Sequence, residues 1–162
     1  MIDFCSYGAC ISRWLIGEQP LAVTGMGANL NSPWGKADDN GTIVARFSKA
    51  IGVFEGSWTT RDPGVPGGPI VYGTAGTLVV DEWGEQPVVR VAKGPGQTTS
   101  YGGLPLPEGR QTIAEEFVHH LETGEPVYPT LDMRFNAEVT AILDAGVRSA
   151  ASGRREAVSG ST

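Results

Sequence analysis

The residues that most often hold transition metals are scarce in this chain: there are two histidines and two cysteines. His119 and His120 are adjacent, so on a helix they point about 100° apart and cannot ligate one metal as an i, i+4 pair could. Cys5 and Cys10 are five apart, about 140° around a helix, which opposes a disulfide and favours two small core side chains. Long apolar runs are missing too. The longest stretches have fewer than ten residues, against the roughly 20 a membrane span needs. The opening lacks a basic segment before its apolar residues and carries Asp3 and Arg13 among them. We therefore expect no cleaved signal peptide and a cytoplasmic location. Positive charge is in short supply: 12 basic residues against 18 acidic ones give a net charge of -6 and a pI near 4.8. That excludes a general attraction to phosphate backbones or anionic lipid, so no nucleic-acid or membrane partner is expected. Neither Gly-Lys-Ser/Thr nor G-x-S-x-G occurs, which removes the phosphate loop and the hydrolase elbow.

What remains is the composition of a folded domain rich in turns. The 162 residues include 23 glycines and 11 prolines, yet 40% are hydrophobic, enough for one core. Tyr7, Ile11, Trp14 and Leu15 stand at helical spacing and Gly17 where a C-cap belongs, which predicts a helix over 3–16. From residue 21 the texture changes to six short β-rich runs: 21–30, 40–47, 50–58, 69–73, 76–82 and 87–92. Ser48-Lys49 and the Gly73–Gly76 segment are expected hairpin turns. After a Gly/Pro loop over 93–109, Thr112-Ile-Ala-Glu115 forms a capping box, followed by the stripe Ile113, Phe117 and Leu121 and a stop at Gly124. Thr130 is a candidate N-cap for a last helix reaching about Ala151, and Glu156 to Val158 a candidate short strand. This order predicts an α+β fold, a large open and mostly antiparallel sheet of about six strands with helices on one face. Apolar residues occupy both parities in 41–47 and 51–58, so the second face is expected to pack on another subunit or domain.

Few residues carry chemistry. Gly25-Met-Gly27 supplies G-x-G without the third glycine or a following helix, and reads as a glycine-bearing strand end rather than a dinucleotide site. Glu115, Glu116 and Glu122 read as solvated acids on the second helix, the first two favoured by its dipole. Asp3 and Tyr7, four apart, would place a carboxylate and a phenol on one helix face. The competing reading is an N-cap acid and a core tyrosine.

Taken together, these segments resemble the C-terminal domain of the glucose-fructose oxidoreductase, inositol dehydrogenase and MocA (Gfo/Idh/MocA) family over nearly the whole chain. Asp3-Phe-Cys-Ser-Tyr7 is similar to the family's D-x-G-x-H/Y helix, and Arg13-Trp-Leu with Gly17 to the R-x-L-x-G ending that follows it. Asp39-Asn40, Phe47, Ile51-Gly52 and Ser57-Trp58 look like its hairpin. Residues 70–78 resemble I-x-G-T-x-G-x-L, and residues 145–154 its final A-x-x-S-x-x-S-G-R helix end. The resemblance implies an oxidoreductase moving a hydride between NAD or NADP and a sugar or polyol hydroxyl carbon. It implies catalytic roles for Asp3 and Tyr7, Tyr7 relaying a proton at the substrate oxygen and Asp3 orienting a lysine or a substrate hydroxyl. A phenol ordinarily titrates near pH 10, so such a relay needs a neighbouring cation. Cys5 departs from the motif's glycine. The family's Rossmann domain and E-K-P lysine are not in this sequence. Residues 1–162 are thus expected to form one substrate-side and oligomerisation domain, which does not bind NAD or NADP alone and works with a Rossmann domain in the same or another chain. It is further expected to form a homo-oligomer through the sheet face. The alternative is a standalone, non-catalytic binding or assembly module that dimerises through its sheet.

Overall fold

A computed structural model describes residues 2–33, 35–61, 68–81 and 87–159. Along the chain run α1 (Ile2–Ile16), β1 (Ala22–Ala28), β2 (Asn40–Arg46), β3 (Ile51–Ser57), β4 (Ile70–Gly73), β5 (Gly76–Asp81), β6 (Val88–Ala92), β7 (Thr98–Gly102), α2 (Ile113–Thr123), α3 (Met133–Ser152) and β8 (Glu156–Ala157). The fold is α+β, as the sequence predicts. The expected single six-stranded sheet is corrected: there are two antiparallel sheets of four strands, ordered β3-β2-β1-β8 and β4-β5-β6-β7. They lie in two compact units, one made of Met1–Arg61 with Val127–Thr162, the other of Asp62–Pro126.

The first unit holds the core. α1 and α3 pack on one face of its sheet and on each other, burying Val23, Ile43, Ala45, Phe47 and Phe54 of the sheet side against Cys5 and Ala9 of α1 and Phe135, Val139, Ile142, Leu143 and Ala145 of α3. The stripe of α1 that the sequence offers, Tyr7 with Trp14 and Leu15, is not the buried one. Small residues face the sheet instead. A Cβ on Gly8 would come within 2.6 Å of the Phe54 side chain, so α1 can approach β3 only through Cys5, Gly8 and Ala9. Gly17 ends the helix in the left-handed region at φ 79 and donates its N–H to Arg13 O at 3.1 Å, as its C-cap position predicts. Arg13 then bonds Glu138 of α3 through Nε at 2.7 Å.

β2 and β3 form the expected hairpin, with Phe47 N donating to Ala50 O across Ser48-Lys49. Val44 stands opposite both Thr24 and Val53, and this row lies on the face away from the helices. Met26, Ile51 and Val53 there are exposed. α3 begins later than predicted. Pro129–Leu131 forms one 3-10 turn, and Asp132 rather than Thr130 caps the helix, its carboxylate accepting from Phe135 N at 2.9 Å.

The second unit is a four-stranded meander followed by α2. Gly73 and Gly76 close the predicted β4–β5 hairpin. β7 lies inside the segment read as a Gly/Pro loop; its Thr-Thr-Ser-Tyr run favours extended backbone without the apolar content that marks the other strands. In register, Val71, Leu78 and Val91 form one cross-strand row and Val80, Val89 and Tyr101 the next, so one face is apolar. The other carries the Arg90–Asp81 ion pair at 3.0 Å. α2 has the predicted capping box, Glu115 N donating to Thr112 Oγ1 and Thr112 N to the Glu115 carboxylate, and ends at Gly124 with φ 73.

Candidate active site at the start of α1

Asp3 and Tyr7 lie one turn apart in α1, on the part of the helix that the sheet leaves uncovered. Because α1 starts at Ile2, Asp3 sits within the first turn rather than at an N-cap, where its charge complements the helix dipole. Tyr7 is 66% exposed, so it is not a core tyrosine. Neither the carboxylate nor the phenol bonds another described residue, leaving acceptor and donor capacity for an incoming hydroxyl. The position of Cys5, glycine in the related motif, is resolved by packing: its side chain is fully buried and its Sγ donates to Phe54 O at 3.6 Å. Burial pushes both thiols upward, Cys5 and Cys10, and both are free.

Between Asp3 and Tyr7, Phe4 leads to a second feature. Its ring meets the Trp58 indole edge-on, with centroids 5.1 Å apart. Trp58 flanks an open hollow of about 620 Å³, whose lining includes Asn31, Asp38, Thr60 and Arg61. One buried acid shapes its rim. The Asp39 carboxylate accepts from Leu30 N at 2.7 Å, Asn31 N at 2.9 Å, Ser32 N at 2.6 Å and Asn40 Nδ2 at 2.9 Å. These bonds, the Leu30 amide first, hold its carboxyl well below the usual aspartate range. Trp58 N donates to Asp39 O at 2.8 Å, and Thr59 and Thr60 amides both bond Ser57 Oγ at 3.1 Å. The strand ends that flank Trp58 are thus tied together.

The remaining sequence candidates are structural. Gly25 lies inside β1, not at a strand end, and a Cβ there would collide with the Gly146 carbonyl of α3. The space over Gly25 is filled by α3, so this strand does not offer the open glycine turn that a dinucleotide's pyrophosphate needs. Ser149, fully buried, completes the crossing by accepting from Gly25 N at 2.9 Å. Among the described residues there is no cluster of metal-ligating side chains and no helix long and apolar enough to cross a membrane.

Glu116 corrects the reading of solvated acids. It is 1% exposed, and its carboxylate takes two bonds of 2.7 Å from Arg110 Nε and Nη2. Arg110 also meets Glu125, which accepts from His119 Nε2 at 3.0 Å. The His119 contact, with Arg110 behind it, holds Glu125 below the usual glutamate range. This is a clamp across both ends of α2, and nothing in the helical period of the sequence marks it.

Comparison with known proteins shows what the chain is similar to. Residues 1–79 match the family model of the GFO/IDH/MocA C-terminal domain; these residues carry the α1 helix and the first sheet's three long strands. Among curated proteins none matches the sequence. Solved structures share the fold across the chain. An aldose-aldose oxidoreductase from Caulobacter crescentus, complexed with glycerol, aligns with a TM-score of 0.73 or better: 0.76 at 20% identity, over 96% of this chain and 46% of its own. An Agrobacterium radiobacter oxidoreductase, in complex with NAD+, L-tartaric acid and magnesium, aligns at 0.73 and 20% identity, over 96% of this chain and 48% of its own. A levoglucosan dehydrogenase, complexed with NADH and L-sorbose, aligns at 0.67 and 21% identity, over 98% and 50%. The chain spans about half the length of these proteins and shares the fold of the part it aligns with.

Proposed function

We propose that this chain is the substrate-side part of an NAD(P)-dependent oxidoreductase acting on a sugar or polyol hydroxyl. The observation that carries the reading is the pairing of Asp3 and Tyr7 on the open side of a helix whose other side is locked to the sheet. The 66% exposure of the phenol, in a stripe with the exposed Trp14 and Leu15, supports this reading. In this reading Tyr7 holds or passes a proton at the substrate oxygen, and Asp3 accepts a hydrogen bond that orients a neighbouring hydroxyl or ammonium. The nucleotide would supply the hydride from a Rossmann domain, in the same or another chain.

The test is Tyr7→Phe in the enzyme assembled with its nucleotide-binding domain. Turnover is expected to fall by about 100-fold or more, the usual loss when a positioned proton donor is removed, with the urea midpoint of the chain unchanged. Unchanged turnover would return Tyr7 to a surface aromatic. A second reading, a non-catalytic module that self-associates, draws on the uncovered sheet face with Met26, Val44, Ile51 and Val53. The two are separated by the same assay, since the module predicts no dependence of any turnover on Asp3 or Tyr7.

A further inference from the structure

The outer edge of the second sheet has the pattern of a pairing strand. β7 ends the order β4-β5-β6-β7, and all five of its residues, Thr98 to Gly102, are exposed. Its bonds to β6 alternate, as an antiparallel ladder requires. Lys93 N donates to Gln97 O at 3.0 Å at one end and Gly103 N to Pro87 O at 3.3 Å at the other, with the register unbroken between them. Thr99 and Tyr101 therefore turn their backbone N–H and C=O groups toward β6, opposite Val91 and Val89, while Thr98, Ser100 and Gly102 turn theirs away from it. Among the described residues nothing bonds the backbone of these three outward positions, which leaves a row of alternating donors and acceptors in the open.

Native edges are ordinarily guarded against such pairing by charge, proline or brevity. The other edges follow that rule: β3 carries Glu55, β4 has four residues with Pro69 just before it, and β8 has two residues. β7 has no guard, since residues 96–104 contain neither a charge nor a proline. It is also complementary to itself. A two-fold axis at Ser100 sets Ser100 against Ser100 of a second copy and Thr98 against Gly102 in both directions, so every outward N–H meets a carbonyl. Moving the axis to Thr99 or Tyr101 pairs only two of the three outward positions within β7. On the face bearing Val89 and Val91, the Ser100 register places Thr99 beside Tyr101 of the other copy, an aromatic and β-branched cross-strand pair. We propose that β7 is an association edge on which a second copy of this chain adds its own β7 antiparallel, centred on Ser100. Five-residue strands bury little area, so the pairing is weak and concentration-dependent. It is independent of the substrate-side role and of the first sheet's open face.

Hydrogen exchange of the 15N-labelled chain reads this edge directly. In the parent chain the Thr98, Ser100 and Gly102 amides are expected to exchange about tenfold more slowly in concentrated than in dilute solution, while those of Thr99 and Tyr101, bonded to β6, stay protected in both. Ser100→Lys sets like charges opposite each other at the axis and is expected to abolish the concentration dependence, as is Ser100→Glu alone. Adding unlabelled Ser100→Glu chain to labelled Ser100→Lys chain sets opposite charges there, and slow exchange at Thr98 and Gly102 is expected to return. The Thr99 and Tyr101 amides report in each sample that β7 stays on the sheet; if a substitution loosens it, the parent measurement, which needs no variant, decides alone. The proposal is overturned if the three parent amides exchange alike at all concentrations, if Ser100→Lys keeps the dependence with β7 in place, or if mixing the two variants restores nothing. A parent chain that sediments as a dimer while these amides remain fast assigns the dimer to another surface and overturns the proposal as well.

Discussion

Asp39 shows what one buried side chain does for the wall of the hollow. Three successive amides and Asn40 are satisfied by its ionised carboxylate, so the folded state favours the charged form. Its carboxyl is therefore depressed below 3.8 on folding, and the stabilisation is complete above that value and lost as pH falls through it toward the depressed one. Urea midpoints measured between neutral pH and about pH 3 should decline steadily, and Asp39→Asn should lower the neutral midpoint while flattening that decline. An undiminished acid slope in the variant would assign it to other carboxylates. Legibility at this scale was uneven. The i, i+4 spacing of Asp3 and Tyr7 is visible in the sequence because both belong to one helix. Glu116 was invisible because its partner Arg110 lies outside the helix, and helical period alone makes a run of acids look solvated.

At the scale of elements, helices were legible where side chains close their own ends. Thr112 with Glu115 and Gly124 fix α2 to the residue, whereas Thr130 and Asp132 are both fit to cap α3 and only the turn begun at Pro129 decides between them. β7 was missed because its side chains are polar and its pairing to β6 supplies what its composition lacks. The direction of α1 was legible and its inward face was not, since large apolar residues ordinarily mark the core and here the sheet admits only small ones. The α3–β1 crossing is the tightest case. Gly25→Ala drives a methyl into the Gly146 backbone carbonyl, which cannot rotate away as a side chain can, and is expected to cost about 1–3 kcal/mol. Gly102→Ala, with open space around it, is the control. Urea unfolding of the two variants should separate them clearly; equal midpoints would mean that α3 shifts freely over β1.

On the scale of the whole molecule, both sheets show apolar residues that the chain does not bury. Ile51 and Val53 lie open on the first sheet, and among the described residues of 62–126 only Glu116 is buried. Self-association through the first sheet's open face is the proposal that fits the apolar residues at both parities of β2 and β3. It predicts that the 17.1 kDa chain sediments as a dimer or larger and that Val53→Lys shifts it toward monomer. A parent chain that is monomeric at every concentration would leave that face to a different partner. The path of the chain has a further effect, on the order of events in folding. The bond from Gly25 to Ser149 joins residues 124 apart, so β1 waits for a helix that is made long after it. Closing a loop of that length carries an entropy cost of about 4 kcal/mol by chain statistics, which the native contacts return only after α3 docks. Folding of the first unit is therefore set by a late, long-range encounter, and until it occurs Ile43 and Phe54 remain exposed on a hairpin already able to form.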